Sequence, residues 1–398
     1  MKKIMFLQIN SHSFGGIWEV NHTLGEEFIK RGYLVSMLAI RQNHPGIKEK
    51  VSSKFKINTI NKIVDWKILR KKEVINSIKK GPSCFIRTFI KYFGDKKKLK
   101  EDYLKMKKFI IKENPDFIIA SHYQTLPGIP KKFLSKTIHV QHSSFKFADT
   151  DKVNIRVLKK YNDKVFCLMW LCNSIMNNAI KRGFLKNRYI YNPLKFRVEK
   201  KANVCKNKKI VVITRISSEK RIDLMVEIVN NIFSDEKFKD WSFEIYGNGE
   251  FNEASKKIIS NSTQIFYNGV TDNPKEVLMN SSINLNTSIF EGFSLSIIEA
   301  SACGLPTIAF DFGDAAYEQI INDSTGYIVE NDDVLEFQNK LKYLMSDMDK
   351  LEELSLNNFE FAHKFYIKEI ADEWEKLFKE IEVSRWFDAK SKYYCTSL

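Results

Sequence analysis

Short apolar runs alternate with helix-like segments along most of the chain, in two separate series. In the first series Ile4–Ile9, Leu34–Ile40, Phe117–Ser121, Thr137–Gln141 and Val165–Cys172 read as buried strands. Between the first two, Ile17–Lys30 has helical spacing at Val20, Leu24 and Phe28, and Arg31-Gly32 ends it. A strand, a helix and a strand in that order favour a parallel sheet. Asn192-Pro193 and the polar stretch Lys195–Lys208 then read as a linker. The second series follows, with strands at Lys209–Thr214, Trp241–Tyr246, Gln264–Tyr267, Ile283–Asn286, Thr307–Phe310 and Gly326–Val329. From Asp333 the pattern is mostly helical, with Phe337, Leu341 and Leu344 on one face. The expected fold class is α/β, with two Rossmann-like domains facing a central cleft. Their expected bounds are 1–195 and 196–370, followed by a C-terminal helix and tail over 371–398. A ligand would bind at the carboxyl edges of both sheets.

Totals support two domains, because 398 residues exceed one ordinary core. No apolar run approaches the roughly 18 residues of a spanning helix. Met1-Lys2-Lys3 precedes an apolar run cut short by Gln8, Asn10 and Ser11, too brief for a signal peptide. Cys84, Cys167, Cys172, Cys205, Cys303 and Cys395 show neither metal-ligand spacing nor evident pairing. A cytoplasmic protein with reduced thiols is therefore expected, and no metal.

Charge is divided between the halves. Residues 1–200 carry 42 basic and 15 acidic residues, whereas 201–398 carry 22 and 33. The basic excess lies in an apparent insertion over 46–112. Between Lys54 and Lys112 there are 19 basic against 5 acidic residues, interleaved with Phe55, Trp66, Phe85, Phe89, Tyr92, Phe93, Tyr103 and Phe109. Two readings stand: amphipathic helices with solvated lysines, or a surface that docks on an anionic membrane or a lipid phosphate. Charge alone would also suit nucleic acid, but no recognition motif accompanies it, so no such partner is expected.

Chemistry concentrates in Phe290–Pro306. After the strand Ile283–Asn286, Glu291-Gly292-Phe293 reads as a tight loop, Ser294 as an N-cap and Leu295–Cys303 as a helix ended by Gly304 and Pro306. Such a loop places backbone N–H groups and a helix N-terminus at the sheet edge, where anions bind. Glu291 and Glu299 can accept hydrogen bonds from sugar hydroxyls. Arg215 ends a strand and Lys220 opens the next helix, a placement suited to a diphosphate or to surface cations. Gly15-Gly16 follows the first strand, and Gly247 lies in the turn Tyr246-Gly247-Asn248-Gly249. Both allow close approach to a ligand and both also suit plain turns. His142 stands at a strand end, as a structural histidine or as a donor to a sugar hydroxyl. His139, three residues earlier, would point to the opposite face.

Glu291-Gly292-Phe293, Glu299-Ala300 and Ala302-x-Gly304-x-Pro306 together resemble the signature of family 4 retaining glycosyltransferases of the GT-B fold. Arg215 and Lys220, in Arg-Ile-Ser-Ser-Glu-Lys-Arg-Ile-Asp, belong to the same pattern. Gly15-Gly16, His142 and Tyr191-Asn192-Pro193 fall where that family has its glycine loop, strand-end histidine and linker. The resemblance is specific over 209–330, looser over 1–45 and 114–195, and does not reach 46–112 or 384–398. Phe310–Ala316 departs from the family's glycine-and-proline turn before Glu318.

The resemblance implies a nucleotide-sugar donor, no metal and retention at the anomeric carbon. By position, Arg215 and Lys220 would hold the diphosphate and Glu299 the ribose hydroxyls. Glu291 would contact the donor sugar, with His142 facing it from the other domain. Gly292, Phe293 and Ser294 would offer backbone N–H groups, and Gly15, Gly16, Gly247 and Leu295 would complete the donor site. The acceptor is expected to be a glycan, lipid-linked surface polysaccharide such as capsule, exopolysaccharide, lipopolysaccharide or teichoic acid. The enzyme would then sit peripherally on the inner face of a membrane. The alternatives are a soluble transferase making a small glycoside, and a non-catalytic nucleotide-sugar or nucleic-acid binding protein.

Overall fold

A computed structural model describes residues 1–11, 16–41, 53–61, 84–148 and 151–395; of 84–98 and 385–395 it describes the backbone only. Gly15 and most of the lysine-rich region therefore lie outside what is described in full.

The first sheet has seven strands: β1 (Lys3–Asn10), β2 (Leu34–Arg41), β3 (Lys56–Asn61), β4 (Phe117–Ala120), β5 (Thr137–Val140), β6 (Cys167–Trp170) and β7 (Asn187–Tyr189). They run parallel in the order β3-β2-β1-β4-β5-β6-β7. The second sheet has six: β8 (Lys209–Ile213), β9 (Ser242–Tyr246), β10 (Ile265–Gly269), β11 (Ile283–Asn286), β12 (Thr307–Phe310) and β13 (Gly326–Val329). Their order is β10-β9-β8-β11-β12-β13, again parallel. Central strands such as Phe117-Ile118-Ile119-Ala120 are buried throughout, as a parallel sheet covered by helices on both faces requires.

Each chain half starts at the sheet centre, builds outward, then returns to the other side. The switch points lie between β1 and β4, and between β8 and β11. A crevice opens at such points, outside the carboxyl ends of the strands. Two strands were not anticipated from sequence. Lys56–Asn61 is a polar edge strand without a buried face, and Asn187–Tyr189 is too short to show a period.

The halves are joined twice. The backbone N–H of Leu194, in the linker, donates to the Phe365 carbonyl at 2.8 Å, so the outgoing and returning crossovers run side by side. The final helix, Ile367–Cys395, then packs on the first domain. Phe378 lies 4.4 Å from Phe117 and 5.4 Å from Phe28, centroid to centroid. Arg31 binds Asp372 at 2.6 Å and Glu375 at 3.0 Å.

Candidate functional site

A cleft of about 660 Å³ lies between the carboxyl edges of the two sheets. Gly16, His142, Arg215, Lys220, Glu291, Gly292, Phe293, Ser294, Leu295 and Glu299 all line it. Gly247 does not. Its φ is +148°, and a Cβ there would sit 1.7 Å from the Thr214 carbonyl oxygen. Glycine at 247 lets the turns after β8 and β9 close on one another. Gly292 does the same between domains: a Cβ would lie 1.9 Å from the His142 carbonyl oxygen. The loop of the second domain is thereby seated against the strand end of the first.

On the second-domain wall Lys220 forms an ion pair with Glu291, and Ser288 Oγ donates to the same carboxylate at 2.9 Å. The Arg215 guanidinium is 59% exposed and reaches Glu219 at 3.4 Å, so its charge is presented to the cleft. The helix Leu295–Ala302 points its N-terminus at the same space.

One expectation is corrected there. Ser294 does not offer a free N–H, because it donates to Gln319 Oε1 at 2.9 Å while Gln319 Nε2 donates back to the Ser294 carbonyl at 2.7 Å. Nor does Ser294 Oγ cap the helix; it lies 3.1 Å from Ser296 Oγ. The N–H groups of Gly292 and Phe293 have no protein acceptor among the described residues. The Phe293 ring turns inward, 5.6 Å from Tyr191 and 5.7 Å from Phe365, and so fixes the loop to both crossovers.

On the first-domain wall β5 ends at Val140, so strand alternation does not carry through to His142. Instead His122 and His139 lie near enough to His142 to depress it. Burial, with the other two imidazoles adding to it, pushes His142 down to about 3, and burial holds His122 and His139 at about 4. All three rings are neutral near pH 7. His142 Nε2 has no hydrogen-bond partner among the described residues.

Glu299 is only 9% exposed. Burial pushes its carboxyl up to about 7, with Lys195 pulling down and Glu19 pushing up. Lys195 Nζ lies 3.7 Å from Glu299 and 3.6 Å from Glu19, and both new residues line the cleft. Sequence reading missed Lys195, Glu19, Ser288 and Gln319, since none stands in a motif.

The atypical segment before Glu318 has a structural use. The Glu318 carboxylate accepts from the Ser174 N–H and hydroxyl at 2.5 Å, the Asn173 N–H at 3.2 Å and the Tyr191 hydroxyl at 2.7 Å. It caps the first-domain helix Asn173–Lys181, where a negative charge meets the helix N-terminus favourably. Asp314 accepts from Asn178 of that helix at 3.0 Å.

Residues 195–361 match the model for glycosyl transferases group 1. An uncharacterized glycosyltransferase of Haemophilus influenzae is 25% identical over 95% of this chain and 100% of its own length. A poly(ribitol-phosphate) alpha-N-acetylglucosaminyltransferase of Staphylococcus aureus is 29% identical over 170 residues, which span 42% of this chain and 34% of that relative. A crystal structure of an S. aureus TarM variant with fondaparinux, alpha-GlcNAc-glycerol and UDP superposes with a TM-score of 0.73, at 16% identity, over 95% of this chain and 100% of that one. With two parallel sheets facing one cleft, the chain is a glycosyltransferase of the GT-B fold whose residues 195–361 are similar to the glycosyl transferases group 1.

Proposed function

We propose that the enzyme moves a sugar from a nucleoside diphosphate donor, with retention and without a metal, to a glycan of a surface polysaccharide. The observation that carries this reading is the convergence of Arg215, Lys220, Glu291, Glu299 and the helix N-terminus at Leu295 on one cleft. As the leaving group departs, negative charge grows on the diphosphate. Arg215, Lys220 and the free N–H groups of Gly292 and Phe293 are placed to stabilise it. Glu291, released from Lys220 as the diphosphate takes that ammonium, contacts the donor sugar. Neutral His142 hydrogen-bonds a sugar hydroxyl from the first domain, and Glu299 receives the ribose hydroxyls. Gly16 and Leu295 line the donor side with them.

The acceptor reading draws on the relative named for poly(ribitol-phosphate) and on the charge of the first domain. No described helix is long and apolar enough to cross a membrane. The helix Cys84–Glu113 does present Leu104 (51% exposed) and Ile111 (49%) beside exposed Lys100, Lys105, Lys108 and Lys112. That face suits an anionic bilayer and supports the reading of an enzyme held on the inner membrane surface. The experiment is a panel of nucleotide sugars with lipid-linked and soluble glycan acceptors, read by mass spectrometry. Transfer from one donor class with the anomeric configuration kept supports the reading. Absence of both transfer and donor hydrolysis across the panel overturns it.

A further inference from the structure

We propose that Lys195 is a positioning residue for the nucleotide: its ammonium favours the ionised form of the Glu299 carboxylate at the cleft wall, and Glu19, bound to the same ammonium, opposes it. The proposal rests on the reading of Glu299 as the ribose ligand. Its three members come from three elements that meet only in the folded chain. Glu19 lies on the first-domain helix Gly16–Lys30, Lys195 follows the linker residue Leu194, and Glu299 lies on the second-domain helix Leu295–Ala302. All three line the cleft.

One ammonium at 3.7 and 3.6 Å serves two carboxylates, so the cluster keeps one unbalanced negative charge. The cost of that charge falls on the more buried partner. Glu299 side-chain exposure is 11%, against 37% for Glu19. The other titratable neighbour is the Cys303 thiol at the end of the same helix, which burial pushes up to about 12, so it stays neutral. Lys195 and Glu19 thus set the proton occupancy of Glu299 from opposite sides, and burial leaves it poised near 7. A carboxylate accepts from both ribose hydroxyls, whereas the acid must spend one oxygen as a donor. Nucleotide binding is therefore coupled to a proton, and the two domains meet at the group that carries it.

The coupling has a sign that misfolding does not reproduce. Removing Lys195 raises the Glu299 midpoint, and removing Glu19 lowers it. Glutamate-labelled protein is titrated by 13C NMR without ligand, with Glu299→Gln assigning the signal. Lys195→Met should move the midpoint up by about one pH unit, Glu19→Gln should move it down, and Lys195→Arg should restore it. UDP, GDP and ADP are then titrated as probes between about pH 6 and about pH 8. With the midpoint one unit higher, affinity of Lys195→Met at pH 7 should fall about fivefold and recover in alkali, because only the ionised form binds. Midpoints that stay put, or shift the same way in both variants, overturn the proposal. Midpoints that separate while affinity for every probe is unchanged overturn the nucleotide role of the cluster and the ribose reading of Glu299. Turnover in the donor panel tests the transferase reading separately.

Discussion

Lys220 and Glu291 neutralise one another across the second-domain wall, with side chains only 14% and 13% exposed. The cation expected at the diphosphate and the carboxylate expected at the sugar are partners before any donor arrives. A buried pair of this kind is costly to break from one side, because the remaining charge is left uncompensated. Donor binding must exchange that partnership for new ones, which ties occupancy of the diphosphate site to release of Glu291.

The two cations should therefore fail differently. Arg215→Ala should lower turnover about a hundredfold and leave the melting temperature unchanged, since the side chain is exposed. Lys220→Ala should lose a similar rate and also about 3 kcal/mol of stability. Adding Glu291→Ala to it should cost less than the sum of the single changes. Steady-state rates and thermal unfolding of the three variants check this, and normal turnover in Arg215→Ala would remove the diphosphate role.

Glu299 should make the ligand-free protein less stable as pH rises. Its folded carboxyl sits near 7, above the ordinary carboxylate range, so the native state holds a proton that the unfolded state has released. Stability is present at acid pH and is lost between about 4.5 and about 7. Glu299→Gln should thus be more stable than wild type by up to about 3 kcal/mol at pH 8 and near equal to it at pH 4.5. It should also bind nucleoside diphosphate more weakly, whereas Glu291→Ala should mainly slow the chemical step. Denaturant melts at the two pH values and nucleotide titrations separate these effects.

The histidines act in the opposite sense. His122, His139 and His142 are neutral in the folded state and protonated in the unfolded chain below about 6.5, so stability falls with pH from there down to about 4 for His122 and His139 and about 3 for His142. His139→Gln should flatten that acid limb, seen as a smaller loss of melting temperature between pH 6.5 and pH 5. An unchanged limb would mean that other groups govern it.

Glu318→Ala should loosen the contact between domains. It strips the acceptor from two backbone N–H groups and two hydroxyls, a loss of about 2–3 kcal/mol. Those donors hold the Glu318 carboxyl below its ordinary range despite the opposing effect of burial. Its contribution is present above the unfolded value and lost as pH falls through the folded one. Calorimetry should show a lower melting temperature at pH 7, with Glu318→Gln intermediate.

On anionic vesicles, Leu104→Ser with Ile111→Ser should reduce binding. Lys100, Lys105 and Lys108 changed together to Gln should reduce it further at low salt, by roughly 1 kcal/mol per lysine. Transfer to a short soluble acceptor should persist. Vesicle binding equal to wild type in both sets would make this face a solvated one.

Much of the architecture was legible because it rests on local patterns. Apolar runs separated by helical spacing specify parallel strands wherever both faces are buried, and Gly304 with Pro306 marks a helix end from sequence alone. The grouping Glu291, Glu299, Arg215 and Lys220 was legible as a motif, and the fold brought all four to one cleft. What the motif could not contain was partnership. Ser294 loses its N–H to Gln319, Lys220 is held by Glu291, and Glu318 reaches into the other domain to cap a helix. Glu299 has its proton set by burial and then by Lys195 and Glu19. Each partner comes from a different element, and charge, burial and hydrogen bonding depend on distances that only the packed chain defines. Sequence thus determined which groups could do the chemistry, and tertiary structure decided which of them are free, which are paired and which are protonated.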